Sequence, residues 1–149
     1  GHFRSLGVRQ PFDLLQGFSQ GGTQYPCPVQ EGNPGMSDIR DLLSKELQEE
    51  LQESFAFATG FGVVFVDREG RHLGEGSNFT SFCRAINADP EGEGCCQCSN
   101  QKALRIALEE DRPSIYICHA GLVNIEIPLI LEGEFVGAIT AGQVLCSDT

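Results

Sequence analysis

The amino-acid sequence predicts an α+β domain, an antiparallel sheet flanked by helices. Three observations carry this: an apolar stripe at helical spacing over residues 39–55, a β-branched and aromatic run at 61–67, and three strand-like segments in the last third of the chain. The resulting order, β-β-α-α-β-β-β after a leading helix, reads as a sheet with its helices on one side.

Each element has its local cause. Ser37 and Asp38 can cap a helix, and Ile39, Leu42, Leu43, Leu47, Leu51 and Phe55 then fall on one face. Gly60 supplies a left-handed stop. Residues 61–67 (FGVVFVD) form a strand, Arg68-Glu69-Gly70 a turn, and 71–74 a short return strand. A short helix over 79–87 holds Cys83, and an acidic, Gly-rich loop over 88–94 follows. The second full helix is expected over 95–110, its apolar face built from Ala103, Leu104, Ile106, Ala107 and Leu108. Strands at 114–118, 122–131 and 135–143 close the chain, the last two joined by the hairpin turn Glu132-Gly133-Glu134. Sensor modules of the PAS-like and GAF-like kind are built in this order. There are no internal repeats.

At 149 residues, 40% of them hydrophobic, the chain has the material for one modest core. It divides at Met36. Residues 1–36 hold 7 of the 18 Gly and 4 of the 7 Pro without periodicity, and read as a tail or an upstream extension with Met36 as the natural start. Residues 37–149 read as the folded domain, and they carry the whole net charge of −11, since Arg4 and Arg9 cancel Asp13 and Glu31. That charge repels phosphate and argues against direct nucleic-acid binding or an anionic membrane surface. No apolar run approaches the roughly 18–20 residues of a membrane span, and no signal segment opens the chain.

Seven cysteines, an odd number, cannot all pair within the chain. With a long helix and a Val/Ile-rich strand set alongside them, they point to a reducing, cytoplasmic setting and a metal or redox role rather than a disulfide scaffold. Cys95 and Cys98 form a C-x-x-C pair, i and i+3 on one helix face, at the start of a predicted helix whose positive end would favour thiolates. Cys83 lies upstream across the loop and Cys118 ends a strand, so Cys83, Cys95, Cys98 and Cys118 can meet as four sulfurs, with His119 and Cys96 in reserve. Four thiolates suit Zn²⁺ in a closed site and equally an iron–sulfur cluster. Unbound structural thiols and a working redox pair are the alternatives. Cys118 and His119 are neighbours in sequence only, because adjacent strand residues point to opposite faces. No nucleophile and base stand at a convincing spacing, and no Gly-rich phosphate loop is followed by Lys, so an enzyme is not expected.

The run Phe82-Cys83-Arg84, Cys95-x-x-Cys98, Ala103-Leu104 and Cys118-His119-Ala120-Gly121-Leu122 resembles the PocR sensory domain family. Pro128 and the string Gly137-Ala138-Ile139-Thr140-Ala141-Gly142-Gln143-Val144-Leu145 continue the likeness, which covers about residues 39–145. The resemblance implies a variant PAS-like fold that senses small organic molecules, hydrocarbon derivatives such as small alcohols and diols, inside bacterial transcription regulators, histidine kinases and chemoreceptors. It would make this chain an input module whose output domain lies beyond Thr149. Cys83, Cys95, Cys98 and Cys118 match the recurring cysteines of the family; Cys96 is an extra thiol, while Cys27 and Cys146 match nothing.

Strand alternation adds a candidate pocket. Tyr116 and Cys118 face one way with Ile115 and Ile117 opposite, and Asn124 and Glu126 share a face opposite Val123, Ile125 and Ile127. Either these polar groups join apolar walls in a ligand cavity between sheet and helices, or they line the wet face of a half-buried sheet. The ligand-contacting candidates are Phe82, Arg84, Tyr116, His119 and Asn124. Arg84 can pair with an anionic guest or with a surface carboxylate. Two functions follow: a sensory input domain that binds a small molecule, working as a homodimer, or an iron–sulfur or thiol-based redox or gas sensor.

Overall fold

A computed structural model describes residues 37–146. The Gly/Pro-rich stretch 1–36, with Cys27, lies outside the described residues. Helix α1 (Ile39–Leu42) is capped by Asp38, whose carboxylate accepts from the Arg40 N–H at 3.0 Å. The chain then turns extended at Leu43, and Ser44 caps a new helix, α2 (Lys45–Thr59), accepting from the Leu47 N–H at 3.2 Å. The single leading helix expected from the apolar stripe is therefore two. Gly60 ends α2 in the left-handed conformation expected of it, φ 73°.

Strand β1 (Gly62–Val66) follows, then helices α3 (Ser81–Asn87) and α4 (Pro90–Glu110), and strands β2 (Ser114–Ile117), β3 (Val123–Leu131) and β4 (Glu134–Val144). The four strands form one antiparallel sheet in the order β1-β4-β3-β2. The outer edge of β1 is closed by residues 72–77, which meet it through isolated bridges, Val63 with Ser77 and Val66 with His72, in place of the return strand read at 71–74.

Both faces of the sheet carry helices, which corrects the expectation of one covered side. On one face Val64, Val66 and Ala138 pack with Leu104 of α4. On the other, Ile39 of α1 packs with Phe65 and Val136, and Ala56 of α2 with Val63 and Ala141. Five consecutive buried residues in β1 are the signature of a strand covered on both sides.

The buried face of α2 is not its leucine stripe. Gln48, Gln52 and Ala56 point inward, while Leu47 and Leu51 stay 43% and 46% exposed. Gln52 explains the inversion: its amide donates to the Glu75 carbonyl and the Ser77 hydroxyl, both at 3.0 Å, and its carbonyl accepts from the Phe65 N–H at 3.0 Å. Hydrogen bonds to otherwise orphaned backbone outweigh the apolar gain of turning leucines inward.

Helix α4 begins at Pro90, capped by Asp89, so the loop read at 88–94 is helical. Asp-Pro is a start signal, with Pro at the first turn where its missing N–H costs nothing. Gly92 is there for space: a Cβ would stand 2.2 Å from the Ile86 carbonyl oxygen of α3. Gly92→Ala is expected to force α3 off α4 and cost about 1–3 kcal/mol. Gly94→Ala, with open space around it, should gain about 0.5–1 kcal/mol. Urea unfolding midpoints check the pair; equal shifts would contradict the close contact.

Candidate functional site

Beneath α3 and α4, on the face of the sheet that Tyr116 shares, lies a cavity of about 50 Å³. Its apolar walls come from Val64, Phe79, Ile86 and Ala120, and its polar groups from His72, Asn87, Asn100, Asn124, Thr140 and Gln143. Cys83, Cys96, Cys118 and His119 complete it. A wider groove on the outside shares His72, Phe79 and Asn87 with the cavity and adds Arg84 and Glu93, so those three side chains form the wall between inside and outside. His72 meets Phe79 edge-on, ring centroids 5.9 Å apart, and burial pushes its imidazole down to about 4.

Strand alternation delivers the polar side chains as expected. Tyr116, Asn124 and Glu126 are buried, so they do not line a wet face. Under the cavity they form a network: Tyr116 Oη lies 2.9 Å from Asn100 Oδ1 and 3.2 Å from Glu126 Oε2, and the Thr140 hydroxyl donates to Glu126 at 2.8–2.9 Å. Asn124 Oδ1 accepts from the Gln143 N–H at 2.8 Å, in a register that Gly142 permits at φ 144°, where a Cβ would stand 2.8 Å from the Asn124 Cα. Burial raises the Glu126 carboxyl to about 8 and the Tyr116 hydroxyl well above its ordinary value.

The four expected sulfur ligands do not all share the cavity. Cys83 and Cys118 reach the cavity; Cys95 and Cys98 do not line it, and Cys98 is disulfide-bonded. Among the described residues no three Cys, His, Asp or Glu side chains converge as metal ligands would. The dipole argument fails for a related reason. With α4 starting at Pro90, Cys95 and Cys96 lie beyond the first turn, where the positive helix end has faded. Burial and the carboxylates of Glu91 and Asp89 raise the Cys95 thiol, and burial with neighbouring thiols pushes Cys96 up to about 12.

Cys96, held in reserve by the sequence reading, takes the central place instead: its Sγ is 3.3 Å from His119 Nε2. His119 stands in a turn closed by the Gly121 N–H to the Cys118 carbonyl, and its own N–H donates to the Ser99 hydroxyl at 3.1 Å. Burial lowers the His119 imidazole. Of the ligand candidates, His119 and Asn124 line the cavity, Tyr116 supports it from below, Arg84 lines the outer groove, and Phe82 is 54% exposed outside both. Asn87, Asn100 and Thr140 were not singled out by sequence. Asn100 was legible in principle, one helical turn after Cys96 on the same face; Asn87 and Thr140 carry no local signal.

Comparison with known proteins agrees with this architecture. The family model described as the sensory domain found in PocR matches residues 41–149. The regulatory protein PocR of Salmonella typhimurium is 39% identical over 106 residues, 71% of this chain and 35% of that protein. The chain thus spans about a third of the length of the curated relative it matches. No solved structure matches. The described residues contain no helix long and apolar enough to cross a membrane. With its antiparallel sheet, its cysteine-lined cavity and this match over most of its length, the chain belongs to the PocR sensory domain family.

Proposed function

We propose that the domain is the ligand-binding input of a regulatory protein and that the cavity between the sheet and α3/α4 takes a small, neutral, hydroxyl-bearing organic molecule such as a short alcohol or diol. The single observation that supports this most is Asn87 Oδ1, a buried acceptor with no hydrogen-bond partner, at the wall of the cavity. One of its two amide N–H groups donates to the Cys83 carbonyl at 2.8 Å. Thr140 likewise gives its proton to Glu126, so its hydroxyl turns lone pairs toward the cavity. A guest that brings donors on a short apolar frame suits both. An anion does not, since no Lys or Arg lines the cavity and Arg84 stands on the outer groove.

Binding would shift the balance between two arrangements of the domain by its differential affinity for them. Leu47 and Leu51, left half-exposed on α2, offer an apolar surface for a second copy in a homodimer. The net charge of −11 disfavours contact between this domain and nucleic acid. A thermal-shift series of ethanol, short diols and the matching carboxylates tests the reading. A compound at 100 times its Kd should add about 2.7 kcal/mol of stability. Alcohols or diols are expected to stabilise, carboxylates not, and Asn87→Leu should abolish the shift. No shift with any hydroxylated compound, or an unchanged one in Asn87→Leu, would overturn it.

A further inference from the structure

We propose that the cavity also captures a small aldehyde covalently, on the sulfur of Cys96 with His119 relaying the proton; the inference rests on the reading of the cavity as a ligand site. The two side chains come from α4 and from the turn after β2, 23 residues apart, and meet at 3.3 Å. Cys83 and Cys118 share the cavity, but it is Cys96 that meets the ring nitrogen. A thiol paired with a positioned imidazole is the arrangement that activates sulfur toward carbonyl carbon. The volume of about 50 Å³ admits a guest of a few non-hydrogen atoms.

The step is redox-neutral and needs no further reagent. The Cys96 S–H proton passes to His119 Nε2 as Sγ attacks the carbonyl carbon; the C–S bond forms and the C=O π pair moves onto oxygen. The imidazolium then returns the proton to that oxygen, giving a thiohemiacetal and a neutral His119. The neutral resting state of both partners suits this, because burial disfavours a standing thiolate and a standing imidazolium alike.

The product also fits where the reactant does not. A free aldehyde has no donor for Asn87 Oδ1, whereas the thiohemiacetal hydroxyl has one. The Asn87 amide lies within hydrogen-bonding reach of the Cys96 sulfur, so the new hydroxyl forms beside the orphaned acceptor. Addition therefore satisfies a buried polar atom that simple binding of the aldehyde leaves bare.

Carbonyl-labelled ¹³C-acetaldehyde added to the full chain is the test, read by ¹³C NMR with ethanol as the non-electrophilic control in parallel thermal shifts. The expected result is a tetrahedral carbon signal distinct from that of the hydrate in protein-free solution. Cys96→Ser, which keeps the shape, should lose it. His119→Gln should reach the same final extent roughly a hundredfold more slowly, because a proton relay lowers the barrier in both directions. An adduct that persists in Cys96→Ser, or an unchanged rate in His119→Gln, overturns the assignment. If ethanol stabilises the protein and acetaldehyde gives no tetrahedral signal, the covalent step falls and the cavity reading stands. If neither compound has any effect, both fall.

Discussion

Glu126→Gln is expected to raise the melting temperature at pH 8 and to take most of the downward slope out of stability between pH 5 and pH 8. Counting protons gives the first reason. Asn100 Nδ2 donates to the Gly70 carbonyl at 3.1 Å, which fixes Asn100 Oδ1 toward Tyr116 as an acceptor. Tyr116 has one proton for two acceptors, Asn100 Oδ1 at 2.9 Å and Glu126 Oε2 at 3.2 Å, so a carboxylate at Glu126 must share it whereas the protonated acid brings a donor of its own. The second reason is burial: Glu126 is 0% exposed with no cation among its hydrogen-bond partners, and its carboxyl is pushed up to about 8 from 4.5.

The sign follows from linkage. Between pH 4.5 and about 8 the folded state holds a proton that the unfolded chain releases. The stability this group contributes is fully present below 4.5, declines by about 1.4 kcal/mol per pH unit at most, and is gone above about 8. His72 works the other way. Its imidazole is lowered from 6.5 to about 4, so its contribution is present above 6.5 and fades as pH falls toward 4. Parent and variant share His72, so the difference between their melting curves isolates Glu126. Gln supplies an amide N–H where the protonated acid has its O–H. Parallel curves for parent and variant would mean that Glu126 is ionised in the fold.

Gln52→Leu is expected to be the most damaging apolar substitution in α2. It extends the leucine stripe in sequence, yet it strips the Phe65 N–H, the Glu75 carbonyl and the Ser77 hydroxyl of their partner together. One buried donor left bare costs about 1–3 kcal/mol, and Phe65 N–H has no water to turn to at 2% exposure. Detachment of residues 75–77 from α2 adds to that, and these residues close the outer edge of β1. Leu51→Gln, the reverse change on the neighbouring exposed position, is expected to stay within about 0.5 kcal/mol. Chemical denaturation of the two variants decides the matter, and the reverse ranking would put the leucines back in the core.

Much of the fold was legible because its causes are local. The strand alternation of 114–118 and 122–131, the left-handed stop at Gly60 and the short helix around Cys83 depend on a few adjacent residues, and each stands where the sequence put it. The errors share a cause. The apolar stripe of 39–55 reads as one helix with its leucines inward, but Leu43 breaks it and Gln52 turns it, because the backbone it serves belongs to residues 65 and 75–77. The Asp89-Pro90 start was present in the sequence and masked by the glycines after it; Gly92 answers to Ile86 on another helix, which no local window contains.

The site divides along the same line. Composition, charge and the motif strings determined by themselves that this is an acidic α+β domain of the PocR sensory kind, and strand alternation placed Tyr116 and Asn124 on its buried side. Which thiol meets His119, that Asn87 is left with a bare acceptor, and that Glu126 lies in a network closed by Thr140 and Asn100 were decided only by tertiary structure. The physical reason is that a residue's neighbours along the chain fix its backbone and the face it points to, whereas hydrogen bonding and burial are settled by atoms that arrive from elsewhere in the sequence.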